Sequence, residues 1–184
     1  LLGIIVLGLL LSGNAYAAKV SDYQVAGFSV GDSALDFYTK KELADNYENW
    51  NEPKYGTSEI EINKDGFDDI QLIYKPKDPE FKIEGISALE YMDAKDCLKK
   101  LDDQASSIEG QFTPQEVKFS KKKKKNYPGK GKVTSIQIKF KSDKGVIIIA
   151  CYDWSDSYAA KMDYNDNLRF SIRSKSYANF LNRR

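Results

Sequence analysis

Five apolar residues in a row, Val146 to Ala150 within "GVIIIACYDW", constrain the fold of this chain more than any other stretch. A short β-branched run of this kind reads as a strand. A strand that does not alternate is covered on both faces, so it belongs inside a sheet rather than at its edge. Its neighbours do alternate. "TSEIEIN" puts Ile60 and Ile62 on one face, "DIQLIYK" does so with Ile70, Leu72 and Tyr74, and "EFKIEGI" with Phe81 and Ile83. Further strands are "EVKF", "VTSIQIKFK" with Ile136, Ile138 and Phe140 in register, and "LRFSIRS" with Leu168, Phe170 and Ile172. The turns "PKDP" and "SDKG" join consecutive strands, which makes hairpins and an antiparallel sheet.

Helices punctuate the strands. Ser33–Tyr38 and Lys40–Asn46 are short, and Thr39 with Glu42 forms a capping box for the second. Asp93 caps a longer helix to about Glu109, whose apolar stripe is Cys97, Leu98, Leu101, Ala105 and Ile108. "SYANFLN" closes the chain as a helix. The class is therefore α+β, an antiparallel β-sheet with helices on one side. "DIQLIYKPKDPEFKI" and "SIQIKFKSDKGVIII" align without gaps, so the chain admits two α-β-β-β half-repeats, about 28–91 and 92–184. Chance likeness between amphipathic hairpins explains the alignment equally well. Residues 18–184 suffice for one domain with its own core.

The chain has no histidine, and that removes whole classes of chemistry. Gly31-Asp32-Ser33 looks like the opening block of a GDS-type serine hydrolase, but such an enzyme needs a base that titrates near neutrality. The later stretch "DNLRFSIRSK" offers Arg169 where that family places histidine. Ser33 is read instead as a helix cap. Two cysteines and no histidine cannot assemble an ordinary zinc site. No calcium loop or glycine-rich phosphate loop occurs, so no metal and no cofactor are expected.

The chain opens "LLGIIVLGLLLSGNAYAA". An apolar run of this length followed by Ala15-Tyr16-Ala17 reads as residues 1–17 of a signal peptide, lacking its basic front and cut near Ala17. "LLSGN" matches a lipobox except that Asn14 replaces its cysteine, so the expected product is a periplasmic or secreted protein and not a lipoprotein. No later run is long and apolar enough for a transmembrane segment. In an oxidising compartment Cys97 and Cys151 are most simply a disulfide; two buried free thiols are the alternative.

Two stretches are candidate binding sites. "KFSKKKKKNYPGKGK", Lys118 to Lys132, holds eight lysines and no acid, so against an overall net charge of +1 the other residues carry −7. Lys121, Lys122, Lys123, Lys124 and Lys125 repel one another and read as a solvated loop, free to meet an anionic surface or an acidic partner. Aromatic residues are too sparse there for specific nucleic acid reading. The second stretch, Cys151 to Arg169, sets Asp153, Asp156, Asp163 and Asp166 among Tyr152, Trp154, Tyr158 and Tyr164. Rings beside carboxylates suit a sugar, and a pair of acids could hydrolyse one. Asp153, Trp154, Asp166 and Arg169 are the candidates, with an ordinary polar loop as the alternative.

Gly31-Asp32-Ser33-Ala34-Leu35-Asp36-Phe37, Cys151-Tyr152-Asp153-Trp154-Ser155 and Asp166-Asn167-Leu168-Arg169 together resemble a pattern in small uncharacterised exported bacterial proteins. The tandem arrangement is also similar to that of exported proteins related to beta-lactamase inhibitory protein. These resemblances imply export and a shared fold, and assign no site. The functional expectation is an exported, non-catalytic binding or interaction module; a carboxylate-dependent hydrolase or binder of envelope glycans is the alternative.

Overall fold

The computed structural model describes residues 19–51, 53–109, 112–120 and 122–183; the expected leader, residues 1–17, and Lys121 lie outside them. The elements in chain order are β1 (Gln24–Val25), β2 (Phe28–Ser29), α1 (Lys40–Asp45), β3 (Tyr47–Glu48), β4 (Gly56–Lys64), β5 (Phe67–Tyr74), β6 (Ile83–Tyr91) and α2 (Ala94–Glu109). There follow β7 (Val117–Phe119), β8 (Lys123–Tyr127), β9 (Gly131–Phe140), β10 (Val146–Trp154), α3 (Asp156–Met162), β11 (Asn167–Arg173) and α4 (Lys175–Leu181). The fold is α+β. A nine-stranded antiparallel sheet runs β3-β4-β5-β6-β11-β10-β9-β7, with β8 pairing the other half of β9.

The local chemistry behind these elements is simple. The Thr39–Glu42 capping box forms, with the Glu42 backbone N–H donating to Thr39 Oγ1 at 3.2 Å and the Thr39 N–H to the Glu42 carboxylate at 2.7 Å. Asp93 Oδ1 accepts from the backbone of Lys95 and Asp96 and starts α2. Ser33 Oγ accepts from Leu35 N and donates to the Glu80 carbonyl, so its hydroxyl is occupied as a cap and tie. Phe81 has φ 49° and stands before β6 rather than in it.

Alternation gives the sheet two unlike faces. One carries Ile70, Leu72, Ile86, Ile147, Ile149, Phe170 and Ile172, all buried in the main core. The β1–β2 hairpin, Leu43 of α1, and Cys97 and Leu101 of α2 complete that core, with α2 lying across β9, β10 and β11. Cys97 and Cys151 are bonded, which pins α2 to the middle of the sheet. The opposite face holds a small apolar cluster of Tyr55, Ile73 and Tyr177, where α4 packs. So α1 and α2 take the side expected, while α3 and α4 take the other. The apolar side of α4, Tyr177 with Phe180 and Leu181, packs on that second cluster, while α3 has no buried residue to mark its side. Val146, Ile147, Ile149 and Ala150 are buried, which covers both faces of the apolar run.

The last strands of the two halves, β6 and β11, meet at the middle, and each half runs outward from there: β6, β5, β4 on one side and β11, β10, β9 on the other. That order sets β5 opposite β10 in the arrangement. The gapless alignment instead sets β5 on β9 and β6 on β10, one strand out of step. Period-two hairpins look alike wherever they sit, so the alignment matched amphipathicity and not position.

Paired residues share a face, so the register reads the second face as rows. One row is Glu61–Asp69–Leu89–Arg169–Ala150–Ser135–Lys123, and another is Thr57–Ile73–Gly85–Arg173–Val146–Lys139–Lys118. Acids gather on β4 and β5, lysines on β7, β8 and β9, and arginines lie between.

Candidate functional site

The polar face carries a cleft of about 620 Å³ beside the acidic end of these rows. Its walls are six rings: Tyr47, Trp50, Tyr91, Tyr152, Trp154 and Tyr164. Tyr152 and Trp154 alternate on β10 and face the cleft, while Cys151, just before Tyr152, faces the core and its disulfide. Trp154 packs on Tyr152 at 5.3 Å, Tyr164 at 5.4 Å and Tyr158 at 5.7 Å between ring centres. The helix α3 ends at Asp163 in the left-handed region, φ 55°, which turns the chain back and delivers Tyr164 to Trp154.

The floor is a polar chain across three strands. Gln71 Nε2 donates to the Glu59 carboxylate at 2.8 Å, and Gln71 Oε1 receives Arg169 Nη1 at 3.5 Å. An amide thus stands between cation and carboxylate. The Arg169 guanidinium lies 4.6 Å over the Tyr152 ring. Its Nε is enclosed and, among the described residues, has no hydrogen-bond partner; the same holds for Arg173 Nε and Asn167 Oδ1. Ser87 and Ser171 satisfy each other at 2.8 Å beneath.

Burial is the main force on the ionisable groups here. It raises the Glu59 carboxyl above its ordinary value, with Asp69 and Glu48 adding to the rise and the Gln71 hydrogen bond and Arg169 opposing it. Burial, then the Asp69 carboxylate that its hydroxyl contacts, raises Tyr91. Burial pulls the Arg173 guanidinium down. For Glu59 the folded state holds its proton more tightly than the unfolded chain. Its effect on stability is therefore nil below the ordinary value of 4.5, and stability is lost as pH rises from there through the higher folded value. Glu59→Gln is expected to raise the melting temperature at pH 7 relative to the parent, with the two converging below pH 4.5; parallel curves across that range would contradict the assignment.

The candidates read from the sequence separate. Trp154 and Arg169 line the cleft, and Tyr152, Asp163 and Tyr164 join them. Asp153 points the other way, 3.9 Å from Lys132, and Asp166 Oδ1 accepts from Trp154 N at 2.7 Å, a structural bond that fixes the end of β10. Cys151–Trp154 ends β10 and Asn167–Arg169 begins β11, as the strand pattern predicts, and the residues between, expected as loop, hold the helix α3. Sequence reading missed Glu59, Gln71, Tyr91 and Tyr47, because polar residues at alternate strand positions look like an ordinary wet face.

The lysine stretch is not a loop. Lys123, Lys124 and Lys125 belong to β8, exposed throughout and paired to β9, and Lys122 meets Asp102 of α2 at 2.6 Å. Alternation sends neighbouring lysines to opposite faces, so like charges on one face stand ~7 Å apart and the repulsion is tolerable. Lysines on an edge strand also discourage another chain from pairing there. Among the described residues no helix is long and apolar enough to cross a membrane. No family model, curated protein or solved structure matches the chain, and the site is read from its own geometry.

Proposed function

We propose that the chain is an exported binding module, non-catalytic, which takes a glycan of the cell envelope into the cleft. The observation that carries this is the ring-walled cleft over a hydrogen-bonding floor. Flat rings cover the apolar faces of sugar rings, while Glu59, Gln71, Asn167 and Arg169 offer donors and acceptors to their hydroxyls. The Cys97–Cys151 bond, with an apolar opening read as a leader, supports an oxidising compartment. The exposed lysines of β8 supply a second contact, with anionic surfaces.

Both tryptophans of the chain, Trp50 and Trp154, line the cleft, so tryptophan emission reports on it alone. Titration with solubilised peptidoglycan fragments is expected to shift that emission, and Trp154→Ala to weaken binding by roughly tenfold or more. Unchanged emission and unchanged melting temperature across the fragments would refute the cleft as a glycan site.

One observation favours a hydrolase: Glu59 combines a place in the cleft with a raised carboxyl, the condition for a general acid. In that reading Glu59, not Asp153, is the acid. Glycan turnover by the parent that disappears in Glu59→Gln would establish it.

A further inference from the structure

The charges of the cleft are unusually free of one another. Arg169 has five N–H donors, and among the described residues its one hydrogen bond is the long one to Gln71. It forms no ion pair there, because Gln71 keeps Glu59 away from it. At the rim, Glu48 and Asp163 also form no ion pair among the described residues, whereas Asp45 is taken by Lys41 at 2.5 Å. Tyr164 lines the same cleft: burial first raises the pKa of its hydroxyl, Tyr158, Glu59 and Glu48 add to the rise, and Arg169 opposes it. The cleft therefore offers Arg169 at its floor, held apart from Glu59 by Gln71, and the carboxylates of Glu48 and Asp163 at its rim.

A neutral sugar could hydrogen-bond to these groups but would leave their charges uncompensated. A purely anionic ligand would face the rim acids, and a purely cationic one would face Arg169. We infer that the ligand is zwitterionic, setting a carboxylate on Arg169 and an ammonium group between Glu48 and Asp163. This rests on the cleft being the glycan site, and it names the class: a glycan fragment that bears a peptide with a free amine and a free carboxylate. Arg169 would hold the carboxylate through charge-assisted bonds, its plane fixed by stacking on Tyr152. Glu48 and Asp163 would choose the end that stays outside.

The test uses the exported full chain and three forms of one peptide-bearing glycan fragment: unmodified, amine-acetylated and carboxyl-amidated. Affinity is read from tryptophan emission. Amidation is expected to weaken binding by about tenfold to a hundredfold in the parent and to make no difference in Arg169→Met. Acetylation is expected to weaken binding in the parent and to make no difference in the double variant Glu48→Gln, Asp163→Asn. Arg169→Lys keeps the charge and loses the fork, so it should retain a reduced response to amidation; it guards against a misfolded Arg169→Met, and near-ultraviolet circular dichroism checks both. Equal affinity for all three forms in the parent overturns the zwitterion and leaves the cleft as the glycan site. No response to any form, with a folded protein, overturns both.

Discussion

Replacing Cys97 and Cys151 together by alanine is expected to lower the stability of this protein by ~4 kcal/mol. The bond closes a loop across a sequence separation of 54, and its loss returns that loop's freedom to the unfolded chain. Alanine is the informative replacement, because both positions are almost fully buried and serine would add an unpaired hydroxyl. The effect should appear as a fall of about 2 M in the urea midpoint, since small domains lose ~2 kcal/mol per molar urea. Hydrogen exchange should locate the first loss of protection in α2, the element that the bond ties to β10. A midpoint unchanged within error would show that packing of Leu101 and its neighbours alone holds α2 in place.

The second large effect is expected at Gly131, where β9 begins. Its φ of +139° is a glycine conformation, and a Cβ there would lie 2.2 Å from the Asp153 carbonyl oxygen and 2.7 Å from the Trp154 Cα. Both obstacles are backbone, so no side-chain rotation relieves them. Gly131→Ala should cost about 3 kcal/mol, combining a forbidden conformation with a forced separation of β9 from the end of β10. Gly129 is the control: its φ is +71° with open space around it, so Gly129→Ala should cost only ~1 kcal/mol. Because Trp154 must move, Gly131→Ala should also change tryptophan emission before any ligand is added. Equal melting temperatures for the two variants would deny the clash.

The sequence made some of this legible and hid the rest for physical reasons. Strands with one wet and one dry face announce themselves, which is why β4, β5, β9 and β11 were read nearly to their ends. Thr39 with Glu42 and Asp93 were legible because capping is local chemistry. The disulfide was legible because two cysteines in a chain read as exported have few other uses. The strand β8 was not, since a strand wet on both faces carries no apolar alternation and five lysines look like a segment that refuses structure. The helix α3 was hidden likewise, having no buried residue to set a period. The cleft was half legible. Trp154 and Arg169 stood out by their chemistry, but Glu59 and Gln71 come from strands about a hundred residues earlier, and only the sheet order brings them alongside.

That sheet order also decides how the molecule behaves as an electrical object. With a net charge of +1 it is nearly neutral as an ion, yet on the second face the acids of β4 and β5 and the lysines of β7, β8 and β9 stand several strands apart. That face therefore carries a charge separation directed across the strands. Near a negatively charged wall a torque acts on it well before a net attraction does. The molecule turns until β8 leads and β3 trails, and the mouth of the cleft is carried sideways, open to whatever diffuses along the wall.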